Sequence, residues 1–222
     1  MSSACVTLSD PVSVRQRLAA LGVTEFDLSA SVNEGVGYIL ACTSNDPPSL
    51  AGLLGWGKAT RGLRDRLIPK GGKRTNVRRQ AATVTPKGIV IVVAAGDSRT
   101  GREGPMPSTR SAKGPATVAA VENNVLQLSL MDANREFAAE IARVQTPTTW
   151  FLLYYWDEQH HEVRIELSLP DNMDDDGYVD AWVERLLLAS LPVNRKPQAE
   201  SEDESNEDDA ATQIDVRRRQ SG

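Results

Sequence analysis

The chain has 222 residues, 40% apolar and 25% charged, with a formal net charge of −5, which suits one sizeable core in a water-soluble domain. Its longest apolar runs, IVIVVAA and WFLLYYW, fall far short of the about 20 residues a membrane-spanning helix needs, and the opening MSSACVTLSDPVSV lacks the basic and apolar regions of a secretory leader. Cys5 and Cys42 stand far apart without CxxC spacing, so a reducing cytoplasm without structural disulfides is expected.

In chain order, Ser9-Asp10-Pro11 starts a helix that Gly22 stops, with Val14, Leu18 and Leu21 on one face. VGYILACT (36–43) reads as a buried strand closed by Asn45-Asp46-Pro47-Pro48. Ser49 caps a second helix in which Leu53, Trp56, Leu63 and Leu67 hold helical spacing and Lys58, Arg61, Arg64 and Arg66 take the other positions. Gly52, Gly55 and Gly57 each cost about 1 kcal/mol against Ala there, so regular helix is expected only from near Lys58, ending at Gly71-Gly72.

NVRRQAATVTPKGIVIVVAAG reads as a hairpin turning at Pro86–Gly88, with arms 77–85 and 88–95. The second arm is apolar on both faces and belongs at the centre of a sheet. GPATVAAVENN suits a short helix with Pro115 in its first turn. VLQLSL suits a half-buried strand, and Asp132 caps a helix carrying Phe137, Ile141 and Val144. TWFLLYYWD and HEVRIELSLP form two antiparallel strands around a turn at Asp157–His160. Val163, Ile165, Leu167 and Leu169 alternate with Arg164, Glu166 and Ser168, which predicts one buried and one wet face. YVDAWVERLLLASL reads as a final helix with Val179, Trp182, Val183, Leu186 and Leu187 inward.

The expected fold is therefore α+β: residues 1–193 form a single globular domain, a largely antiparallel central sheet with flanking helices. Residues 194–222 lose the core pattern, carry seven acids within 200–209 and close on Arg217-Arg218-Arg219. They are expected to form a disordered acidic tail ending in a basic cluster.

The net charge hides a strong separation. Between Lys58 and Lys113, fourteen Lys and Arg meet only Asp65, Asp97 and Glu103, a local balance of +11 that leaves −16 elsewhere. Either this block pairs with acids of its own fold or it faces an anionic partner. The second reading selects Lys58, Arg61, Lys70, Lys73, Arg74, Arg78, Arg79, Arg99, Arg102, Arg110 and Lys113 as a nucleic-acid-binding set. Trp56, just ahead of the block, is the sole aromatic beside it, which favours duplex DNA or structured RNA over stacked single strands. The acidic stretch would compete for the same surface from within the chain. A protein–protein adaptor is the alternative.

Catalytic signals are sparse. GDSRTGRE (96–103) matches G-x-x-x-x-G, but Arg102 and Glu103 replace the Lys and Ser/Thr of a triphosphate loop. The following Gly104-Pro105-Met106-Pro107 forbids the required helix, leaving a corner that contacts anions. A nuclease would place Asp97 and Glu162 around Mg²⁺, yet the chain holds no Glu-x-Lys, and the Arg164 that follows Glu162 cannot act as a base. The ordinary alternative for Asp97 is a turn or an ion pair with Arg99 or Arg102.

Asn172 to Val183 imitates a calcium loop but lacks the final Glu. His160 and His161 are neighbours that point apart on a strand, unsuited to sharing zinc. No metal or cofactor site, and no enzyme, is expected outside the nuclease alternative.

Overall fold

A computed structural model describes residues 5–77, 80–114, 117–124 and 147–193. The elements run β1 (Val6–Leu8), α1 (Pro11–Leu21), α2 (Glu25–Leu40), α3 (Leu50–Leu67) with a 3₁₀ turn at Ile68–Lys70, then β2 (Lys73–Val77), β3 (Gln80–Val84) and β4 (Val90–Ala95). A helical segment occupies 117–124, followed by β5 (Thr149–Asp157), β6 (Glu162–Met173), β7 (Val179–Leu187) and β8 (Leu191–Pro192). The expected segments 125–130 and 133–144, the tail from 194, and Arg78 and Arg79 lie outside the described residues.

The strands form one sheet in the order β1-β7-β6-β5-β4-β3-β2, with β8 on β6. This corrects the largely antiparallel sheet: β4–β5 and β1–β7 are parallel, so the sheet is mixed. The expected hairpins exist at β3–β4 and β5–β6. The parallel pair arises because a long connection carrying the 117–124 helix, and not a turn, separates β4 from β5.

Helices α1 to α3 cover one face. Val14, Leu18 and Leu21 of α1, Leu28, Val32 and Val36 of α2, and Ala59, Leu63 and Leu67 of α3 pack on Ile91, Val93, Leu152, Ile165 and Leu167. The start of α1 follows the sequence reading, with Asp10 accepting from the Ser13 N–H and Gly22 left-handed at φ 79°. Leu53, by contrast, is 60% exposed and belongs to no core stripe.

Three segments differ from expectation. Residues 36–40 end α2 instead of forming a strand: a capping box at Thr24 and Asp27 nucleates sixteen residues of helix through Gly35 and Gly37. Gly35 is a close-approach glycine, because an added Cβ would strike the Gly55 carbonyl and Ala59 of α3. The same crossing explains Gly55, and α3 is regular from Leu50 rather than from Lys58.

Third, residues 179–187 are strand β7 and not a helix. Register shifts between Leu169 and Met173 break the period of two on the β6–β7 pair, and both Val179 and Trp182 face the second core cluster. A bulge that shifts phase produces the i, i+3 spacing that imitates a helix. The acidic turn 174–177 therefore closes a hairpin, with Gly177 left-handed at φ 86° and Asp174 accepting from the Tyr178 N–H.

Candidate nucleic-acid interface

The face of the sheet opposite the three helices carries Val92, Ala94, Phe151, Leu153, Val179 and Trp182. It also carries Arg164, Glu166, Ser168 and Arg185, all 6% exposed or less. The wet face expected for Arg164, Glu166 and Ser168 is in fact covered by the glycine loop that follows β4. Arg164 donates to the carbonyls of Ser98 (2.9 Å) and Thr100 (3.0 Å), and Arg185 to those of Arg102 and Pro105 (3.1 Å each). Trp182 Nε1 donates to Pro107 O at 2.8 Å.

Beneath the loop, Arg185 and Glu166 form a fully buried pair at 2.6 Å; Ser168 and the Gly101 N–H also donate to Glu166. Gly101 is left-handed at φ 70°, and an added Cβ would meet the Arg164 side chain. The loop thus turns five carbonyls and one N–H inward, the reverse of a phosphate cradle, which presents N–H groups. Its own charges are engaged too: Asp97 lies 2.6 Å from Arg99, and Arg102 lies 3.7 Å from Asp157.

Asp157 is buried beside Arg164 (2.6 Å) and His160 (3.0 Å). Burial works to raise its carboxyl, but the His160 hydrogen bonds and the Arg164 charge outweigh it and hold the pKa below the usual carboxylate value. Glu162 lies 3.6 Å from Arg164. Among the described residues, no group of three or more His, Cys, Asp or Glu is placed to hold a metal ion.

A cleft of about 830 Å³ opens where β3 leaves β4. The two strands pair only at Thr83–Ile91 and Val84–Val90, and no register pair joins Ala81 to Val93. The cleft therefore lies at the carboxyl ends of the parallel strands β4 and β5, the end at which open α/β sheets bind ligands. Trp56 of α3, Tyr154, Tyr155 and Trp156 of β5, and Arg110 and Lys113 of the loop after β4 line it, and among the described residues no Asp or Glu does.

Lys113 is half-buried, and burial pulls its ammonium pKa below the usual lysine value. Tyr154 is 5% exposed, and burial pushes its phenol up to about 12, only partly offset by Arg110. Lys113 Nζ donates to Ser111 Oγ at 3.1 Å, and among the described lining residues it meets no carboxylate.

Of the sequence-selected cations, Lys70 is consumed by buried Asp27 at 2.7 Å, Arg99 by Asp97, and Lys58 stands 4.0 Å over the Tyr38 ring. Arg61 pairs with Asp65 on the exposed face of α3. Lys73 and Arg74 are exposed on β2. A second recess, about 310 Å³, is lined by Arg61, Arg64, Asp65 and Arg74, and shares Trp56 and Ala81 with the cleft. The structure thus places Arg110 and Lys113 in the cleft and Arg61 and Arg74 in the recess beside it, while Lys70, Arg99 and Arg102 line neither.

The sequence reading missed the aromatics of β5 as part of this surface. They lie 40 residues beyond the basic block, and their run had the look of core strand alone. Comparison with protein-family models, curated proteins and solved structures finds no match to this chain.

Proposed function

We propose that this protein is a nucleic-acid-associated accessory protein whose contact surface is the cleft and the recess beside it, not the whole 58–113 segment. One observation carries the reading: Arg61, Arg74, Arg110 and Lys113 line two neighbouring cavities that share Trp56 and Ala81, and among the described lining residues Asp65 is the single acid. A polyanion with planar groups suits such a surface, because cations track the phosphates while aromatic rings accept bases. Four aromatics in the lining favour a single strand, or a frayed end, over the intact duplex the sequence alone suggested.

The acidic tail is proposed as the internal competitor. The Val193 N–H donates to His161 O (2.8 Å) at the β5–β6 turn, and Asp157–Gln159 of that turn line a recess that shares Arg110 and Trp156 with the cleft. Seven residue steps separate Val193 from Glu200, a reach of about 23 Å when extended. The free thiols of Cys5 and Cys42 accord with a cytoplasmic setting, and no described helix is long and apolar enough to cross a membrane.

Fluorescence anisotropy with matched single-stranded and duplex oligonucleotides tests both parts. The single strand should bind more tightly, and replacing the seven acids of 200–209 by their amides should tighten it further. Equal affinity for an Arg74→Ala/Arg110→Ala chain and the unmodified chain contradicts the reading.

A further inference from the structure

We propose that the cleft reads one unpaired base through the main chain of Val93, an inference that rests on the strand-binding reading above. The edge of β4 supports it. The Val90 N–H donates to Thr148 O and the Gly96 N–H to Tyr154 O, so even-numbered residues of this strand turn toward β5. Odd-numbered residues therefore turn the other way. Ile91 is paired with Thr83 of β3, and Ala95 O accepts from the Arg110 N–H at 2.8 Å.

Val93, between them, points its N–H and C=O into the gap where β3 has departed, with neither Ala81 nor the returning loop in register opposite it. Buried main-chain groups are ordinarily paired, so this edge, where among the described residues no register pair joins Ala81 to Val93, offers a ligand a donor–acceptor pair in a lined cavity.

The gap selects its occupant. An extended peptide adding to a sheet edge needs several successive pairs, whereas here one residue is open and both its neighbours on that edge are occupied. A planar ring with an adjacent donor and acceptor, the hydrogen-bonding edge of a nucleobase, needs only one such pair. Trp56 lines the gap from the helix-bearing face together with Ala81 and offers a stacking surface. Tyr154 lines the same cleft and its hydroxyl supplies a third donor, and Arg110 and Lys113 supply charge for the attached phosphate. The ligand chemistry is thus a nucleoside phosphate, whether free or at the end of a strand.

Calorimetric titration of the full chain tests this with uridine and adenosine 5′-monophosphates, their N3-methyl and N1-methyl analogues, ribose 5-phosphate, and a short oligonucleotide ending in the same base. At least one unmodified monophosphate should bind, and blocking its edge with the methyl group should weaken it about tenfold or more. Ribose 5-phosphate should bind at least as poorly as the methylated form, and Tyr154→Phe should weaken the nucleotide while leaving ribose 5-phosphate unchanged. Tighter binding of the oligonucleotide than the monophosphate assigns the site to strand ends; equal binding assigns it to free nucleotides.

The proposal is overturned if methylated and unmodified forms bind within twofold of each other, if ribose 5-phosphate binds as well as either, or if no monophosphate binds at millimolar concentration while the oligonucleotide does. Loss of oligonucleotide binding as well would instead remove the strand-binding reading beneath it.

Discussion

Two arginine-bearing regions flank the end of β4, and they use the same side chain oppositely. Under the glycine loop, Arg164 and Arg185 are no more than 6% exposed and spend their donors on four loop carbonyls, Asp157 and Glu166. In the cleft next to it, Arg110 and Lys113 stand among aromatics, with no carboxylate among the described lining residues. Formal charge counts both alike. Only the second is available to a partner, because a guanidinium already satisfied by protein oxygens gives up as much as it gains on meeting phosphate.

Substitutions can break this comparison, beginning with the buried side. Glu166→Gln leaves the Arg185 charge buried without its counter-ion and should destabilise the fold by about 3–5 kcal/mol in denaturant unfolding. A loss below about 1 kcal/mol would mean that water reaches the pair. Asp27→Asn removes the Lys70 ion pair and weakens the capping box of α2, for an expected cost of about 1–2 kcal/mol.

That variant also changes the acid limb. Burial works to raise Asp27, but Lys70 and Thr24 outweigh it and hold its carboxyl below the ordinary 3.8. A depressed carboxyl stabilises the fold fully above its unfolded pKa, and the contribution is lost as pH falls through the lower folded value. Unfolding curves of wild type and Asp27→Asn should therefore stay fully apart above pH 3.8 and draw together only as pH falls through the lower folded value.

The cleft side should respond less in stability than in binding. Tyr154→Phe removes a hydroxyl on a residue that lines the cleft, so the fold should stay within about 1 kcal/mol of wild type in thermal unfolding while ligand affinity falls. A larger loss of stability would show that the hydroxyl is already bonded. Arg110→Ala, smallest of all on stability, should stay within about 0.5 kcal/mol of wild type.

Much of the fold was legible because local chemistry and tertiary context agree. Asp10, Pro11 and Gly22 delimit α1, and the alternation of β6 was read correctly down to its buried apolar face. The failures have physical causes. Gly35 and Gly55 look like helix breakers until α2 and α3 are seen to cross at them. A bulge gives β7 the spacing of a helix, and the polar face of β6 looks wet because its cover is a loop more than 60 residues away in sequence.

The site was legible only as charge. The Asp97–Arg99 pair could be foreseen two residues apart, but Lys70 gave no local sign that Asp27, 43 residues away, would consume it. The gap at Val93 is a matter of where β3 stops pairing, which composition does not encode, and the contribution of Tyr154 to Trp156 depends on the parallel pairing of β4 with β5.

The salt dependence of single-strand binding tests the central claim most directly. With Arg61, Arg74, Arg110 and Lys113 each releasing one counter-ion, the slope of log affinity against log salt should be about −3, and Arg74→Ala/Arg110→Ala should reduce it to about −1.5. A flat response in the wild type, or a slope that the double substitution leaves unchanged, would contradict the account.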